Sequence, residues 1–300
     1  MDWMLLILLV VPTVVHGNPT VTVRTGSGPP VGSDQHPNSV PLSEDTQTTT
    51  EVREEVMTTG VLNPSHYPAR RAATVVQHYL NTCYGSPYRW IFLSKVHSGS
   101  AEDVAEMRKY QLELTMQETI SNVRSDTFSE LLTIAQVSGQ CSAELLFPRG
   151  EGQSAPQVQA SCEGLLQSNT TAQEEAFYQQ HRASNNMVSG NDIPDSYGLM
   201  EPGMKPFWHL GGVASSFIML RESNESTLYN MAQVANFTQL ETEKDQLRFN
   251  YHVLLHEMIS QEIIHWKLLV TWSPEQGVQV LQTELQPKCH DCEAPPNTTN

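Results

Sequence analysis

The chain has 300 residues, 39% of them hydrophobic, and sets 17 Lys and Arg against 33 Asp and Glu for a formal net charge of -16. That length and apolar content suit one large domain or two of ordinary size. So acidic a chain repels a phosphate backbone, which excludes nucleic acid as a partner; a basic protein or a calcium mineral surface is electrostatically easier, although solubility alone also accounts for the charge.

Residues 4–15 are an apolar run broken only by Pro12 and Thr13, followed by Val15-His16-Gly17. The run suits a signal-peptide core and is short for a membrane span, so residues 1–17 are expected to be cleaved after Gly17 and the protein to be secreted and extracellular. Asp2 stands where such segments usually carry a basic residue, which keeps a signal-anchored membrane form as the alternative. Four acceptor triplets, at Asn169, Asn224, Asn236 and Asn297, agree with export and N-glycosylation. Residues 18–64 are rich in Ser, Thr and Pro and poor in apolar side chains. They are expected to form a disordered leader carrying O-linked sugar.

A first folded unit is expected over residues 65–168. Pro68 fits a helix's first turn, and Ala72, Val75, Val76, Tyr79 and Cys83 recur at helical intervals until Gly85 and Pro87. Residues 88–96 read as a strand, Tyr110, Leu112, Leu114 and Met116 alternate with polar neighbours, and residues 140–147 and 157–165 supply two more strands. Residues 121–139 have no assigned element, with 128–137 either extending a strand or forming a short helix. Arg149-Gly150-Glu151-Gly152-Gln153 reads as a turn, and Cys141 and Cys162 lie about equally far from its centre. An antiparallel hairpin brings those two residues face to face, so they are expected to be joined.

Residues 169–198 read as a linker: a helix from Ala172, with Thr171 and Glu174 as a capping box, then a turn-rich loop over 185–195. The second unit, residues 199–286, begins with an apolar helix over 204–220 interrupted by Gly211-Gly212. Two glycines there imply very close packing against a sheet or the first helix. Strands over 228–237, 246–258, 262–272 and 277–285 follow, and residues 287–300 form a flexible tail. The order helix, strand, strand, strand, strand occurs twice. The fold class is therefore α+β, with each unit packing one helix on a four-stranded antiparallel sheet.

Motifs for bond chemistry are weak. His252 and His256 on one strand lie about 13 Å apart, too far to share a metal, and neither an HExxH nor a G-x-S-x-G pattern is present. No catalytic residue, metal or cofactor is expected. Trp208, Trp266 and Trp272 read as core. Five cysteines remain unevenly paired: Cys289-x-x-Cys292 offers two ligands where structural zinc needs four, so a tail disulfide is expected. Cys83 is left for core packing or for a bridge to a second chain, giving a disulfide-linked oligomer.

Four segments carry a resemblance: Tyr67-Pro68-Ala69-Arg70-Arg71-Ala72-Ala73, Cys141-Ser142-Ala143-Glu144-Leu145-Leu146-Phe147-Pro148, Ile193-Pro194-Asp195-Ser196-Tyr197-Gly198 and the run from Leu254 to Trp266. Over roughly residues 65 to 287 the chain resembles the latexin family, which includes an eggshell protein. The resemblance implies two tandem cystatin-like units joined by a linker helix. It implies inhibition of zinc metallocarboxypeptidases of the A/B type by covering the active-site mouth. Carried over, the inhibitory contact falls on Ser260, Gln261, Glu262 and His265, with Gln261 foremost; His265 stands where latexin has proline, which alters the stiffness of the contact. Two other roles stay open: an extracellular-matrix or mineral-associated structural glycoprotein, and a cysteine-protease inhibitor by cystatin analogy. The last lacks a Gln-x-Val-x-Gly segment between strands, Gly277-Val278-Gln279-Val280 holding only related residues.

Overall fold

A computed structural model describes residues 59–120, 135–149, 154–183 and 187–287. The expected signal peptide, nearly all of the leader, residues 121–134, the Cys289–Cys292 pair and Asn297 lie outside the described residues.

The elements run β1 (Gly60–Val61), α1 (Tyr67–Tyr84), β2 (Arg89–Val104), β3 (Met107–Ile120), β4 (Ala135–Pro148), β5 (Gln157–Glu163), α2 (Thr171–Arg182), β6 (Ser189–Ile193), α3 (Lys205–Glu222), β7 (Tyr229–Glu243), β8 (Gln246–Glu257), β9 (Glu262–Ser273) and β10 (Gly277–Leu285). The described residues form two antiparallel sheets, ordered β1-β2-β3-β4-β5 and β10-β9-β8-β7-β6. The fold is α+β, and its repeat is strand, helix, four strands. Helices α1 and α3 are each 18 residues long with proline in the first turn. The strands after α1 and α3 share two register shifts at the same distance from the helix, after Leu93 and Val96 in β2 and after Met231 and Val234 in β7, and β7 has a third after Leu240.

Each sheet has five strands where four are expected, because a short edge strand joins each. Gly60 and Val61, at the end of the expected leader, pair with Ala101 and Ser100, and Leu62 is buried in the first core. Residues 189–193, inside the expected loop, pair with β7. Their turn-forming Gly190 and Asp192 are overridden by the open edge of a sheet. The expected capping box is not formed: Thr171 is the first residue of α2, and Thr170 before it makes no side-chain bond to a helix amide. Thr170 precedes α2, its hydroxyl donates to Glu174 Oε1 at 2.7 Å, and the Thr171 amide donates to Asn169 Oδ1. Asn169 therefore satisfies the first amide of α2 in place of a cap from Thr171.

Alternation places Ile91, Tyr110, Leu112, Leu114, Met116, Leu145 and Phe147 against the small face Ala69, Ala72, Ala73 and Val76 of α1. Cys141 faces Cys162 in the ladder, and the two are joined by a disulfide. Ahead of the first register shift in β2, α1 bonds the strand's backbone: Asn81 accepts from the Ile91 amide at 2.9 Å and donates to its carbonyl at 2.7 Å, and Gln77 accepts from the Leu93 amide. In the second sheet Leu247, Phe249, Tyr251, Val253 and Leu255 form the inward row of β8. At the outer edge, β10 carries one residue too many against β9, Leu281, which is exposed.

The halves interlock through α1 and α3. A Cβ on Gly211 would lie 2.9 Å from Val234, and one on Gly212 would lie 2.5 Å from the Trp90 ring. The glycine pair therefore fits α3 closely to its own sheet and to the other half at once. Trp90 also packs on Trp208 and stacks on His209; Trp272 and Trp266 are core, while Trp208 is partly buried. Each helix also sends a buried histidine to a carbonyl of the opposite half. His78 Nε2 lies 3.2 Å from the Tyr229 oxygen and His209 Nδ1 lies 3.0 Å from the Pro87 oxygen. Nδ1 of His78 is buried without a hydrogen-bond partner, so the ring has no acceptor for a second proton. Cys83 is exposed at the end of α1, one turn beyond the partly buried Tyr79, so core packing is not its role.

Burial lowers both imidazoles to about 4, with Lys205 repelling a charge on His209. The unfolded chain therefore takes up protons below its ordinary value near 6.5 that the folded chain refuses. Stability present above about pH 6.5 is lost between there and pH 4, by on the order of 3 kcal/mol per histidine. Urea melts against pH should show this slope, and His78→Gln or His209→Gln should each remove part of it. Gly212→Val should cost about 1–3 kcal/mol by driving a side chain into Trp90, measured in the same melts.

Candidate functional site

At one end of the second sheet, three connections come together: the loop after β6, the loop before β7, and the turn between β8 and β9. The β8–β9 turn is exposed and is held from beneath by a buried carboxylate. Glu257 ends β8 at an inward position, so its carboxylate is buried rather than solvated. The carboxylate accepts from the amides of Leu228 at 2.9 Å, Ile259 at 3.1 Å and Ser260 at 2.5 Å. Burial pushes the carboxyl up, but hydrogen bonds from the Ser260 side chain and from the amides of Leu228, Ser260 and Ile259 outweigh it, leaving the group below its ordinary range. One buried charge thus binds the turn to itself and to the segment entering β7.

The rest of the turn supports this. The Met258 amide donates to the Leu228 carbonyl at 2.8 Å. Gln261 takes the left-handed conformation, φ 60°, and its side-chain amide donates to the Met258 carbonyl. Met258 and Ile259 stand 37% and 42% exposed at the tip, and Ile263, on β9 beside it, 44%. A turn stiffened from beneath and apolar on top would lose little ordering entropy on docking.

Ser260 and Gln261 lie in the turn, and Glu262 opens β9 opposite Glu257. His265 lies outside the turn, on the outer face of β9 opposite Leu254. A residue there acts on the strand, not on the stiffness of the turn. Tyr197 and Leu199, which sequence reasoning left unassigned, are 87% and 67% exposed in the loop after β6. Asp195 accepts from the amides of both, and Gln233 on β7 donates to the Pro194 carbonyl. The loop before β7 reaches the first half: Glu225 faces Arg149 at 3.3 Å and the buried Arg108 at 3.7 Å. Among the described residues, no group of three or more His, Cys, Asp or Glu side chains is arranged to hold a metal.

A family model described as Latexin matches residues 62–290. The chain belongs to the latexin family. It is 34% identical to mouse latexin over 227 residues, covering 75% of this chain and 96% of that protein. Human latexin is 33% identical, with the same two coverages of 75% and 96%. Chicken ovocalyxin-32 is 29% identical, covering 73% of this chain and 74% of that one. Mouse fetuin-B is a solved structure that covers 76% of this chain and 70% of its own at 14% identity, but its TM-score of 0.26 carries no argument about this latexin-family fold.

Glu257→Gln should destabilise the protein by about 2 kcal/mol at neutral pH, the worth of hydrogen bonds to a charged acceptor. The carboxyl is lowered by folding, so its contribution is present above the unfolded value and is lost as pH falls through the folded one. The gap between the variant and the parent should therefore close in acid, and amide exchange at Ile259 and Ser260 should accelerate in the variant at pH 7.

Proposed function

We propose that this protein is a secreted inhibitor of zinc metallocarboxypeptidases of the A/B type, built of two cystatin-like units, and not an enzyme. The observation that carries this reading is the Met258–Gln261 turn held by Glu257. It presents an exposed apolar tip on a rigid base, in a chain of the latexin family. Inhibition then works by occlusion. The tip and the adjoining Tyr197 loop cover the enzyme's mouth and exclude peptide substrate, and no side chain of the inhibitor replaces a zinc ligand. Glu225, bridging to Arg108 and Arg149, ties this end of the second unit to the first, so that both act as one surface.

N-linked glycans at Asn169, Asn224 and Asn236 belong to the same reading. Asn236 is exposed on the outer face of β7, where a glycan meets no core, and Asn169 is exposed before α2. A matrix or mineral-associated role is favoured by the net charge of -16 and by the exposed thiol of Cys83, which is open to a bridge with a second chain.

Titrating the purified full chain against carboxypeptidase A should give saturating inhibition, and Gln261→Arg should weaken it by roughly tenfold, about 1.4 kcal/mol. No inhibition at micromolar protein with an intact circular dichroism spectrum would remove this reading and leave the matrix role, which a non-reducing gel of Cys83→Ser tests.

A further inference from the structure

His252 on β8 and His265 on β9 stand on the outer face of the second sheet, away from the turn and from the junction of the halves. In the ladder His252 faces Lys267 and His265 faces Leu254, so the two histidines are diagonal neighbours across one strand pair. Nε2 of His252 lies 3.2 Å from Nδ1 of His265, with ring centroids 5.2 Å apart and planes inclined by 48°. Zinc–imidazole bonds of about 2.0–2.1 Å at a tetrahedral angle separate two ligand nitrogens by about 3.3 Å. The pair thus already has the nitrogen spacing of two ligands to one tetrahedral ion. His265 is exposed and His252 half-buried, so the space between the rings opens to solvent. A continuous backbone ladder fixes both.

We infer that His252 and His265 form a two-imidazole site for a borderline divalent cation of the zinc class, with water completing the tetrahedron. Imidazole selects zinc, cobalt and copper over the hard ions calcium and magnesium, which require oxygen ligands. Lys267, in register with His252, opposes the cation, and Glu284 lies on its other side in the same row. His256 shares the face but is paired with Ile263. The alternative account of the contact is a hydrogen bond between two neutral imidazoles, which binds no ion. The inference stands independently of the inhibitory reading.

The test is calorimetric titration of zinc chloride into the full chain at pH 7.5, without a polyhistidine tag, alongside cobalt titration read by visible absorption. One zinc per chain and the absorption bands of tetrahedral cobalt are expected. Both should be lost in His252→Ala and in His265→Ala and kept in His256→Ala, with Lys267→Gln binding more tightly and calcium giving no response. Zinc should raise the melting temperature of the parent but not of His252→Gln or His265→Gln, which decide the matter if the alanine variants fail to fold. No saturable binding by the parent, binding that survives both single substitutions, or binding that His256→Ala also abolishes would overturn the assignment.

Discussion

Helix α3 has no Cβ at two successive positions, and the approach this permits sets the spacing of everything around it. Gly211 lies against Val234 and Tyr251 of its own sheet while Gly212 lies against Trp90 of the other half. Bare on both sides, α3 packs at once on its own sheet and on Trp90, which the first half contributes to the second core. From that contact follow the seating of α3 beside α1, the burial of His78 and His209, and the direction in which α3 delivers the chain to Glu225 and β7. The Met258–Gln261 turn is built on that delivery, since Leu228 supplies both an amide to Glu257 and a carbonyl to Met258.

Much of this was legible in the sequence. The alternation of Tyr110, Leu112, Leu114 and Met116 states which side of β3 is wet, and the mirror placement of Cys141 and Cys162 about a turn states their pairing. The edge strands were not legible. Gly60–Val61 is too short for any period, and Ser189–Ile193 is composed of turn formers whose preference yields to an unpaired sheet edge. Glu257 could have been found. Leu247, Phe249, Tyr251, Val253 and Leu255 run inward at every second position, and Glu257 is the next. A carboxylate on that row, with no Lys or Arg near it in sequence, has to collect backbone amides. The histidine contact between β8 and β9 was hidden for a different reason. Spacing along one strand separates His252 from His256, whereas the pairing register that brings His265 close is a tertiary fact.

The two halves share helix length, proline position and paired register shifts, yet they have divided the work. In the first half the bulged strand is stitched to its helix by Asn81 and Gln77, and a disulfide closes the far side of the sheet. That half is an anchor. The second half uses aromatic packing instead, with Phe207, Phe237, Phe249 and Tyr251 in mutual contact, and spends its polar groups at the sheet end where the turn stands.

The supernumerary Leu281 bears on how such a sheet remains solitary. Strand β10 is one of the two outer strands of its sheet among the described residues, and a straight strand of that length would offer an unbroken template to any passing polypeptide. One additional residue puts the donors and acceptors on either side of it out of phase, so a foreign strand can match one stretch or the other but not both. The edge is thereby broken as a template without any charged residue being placed at the irregularity itself.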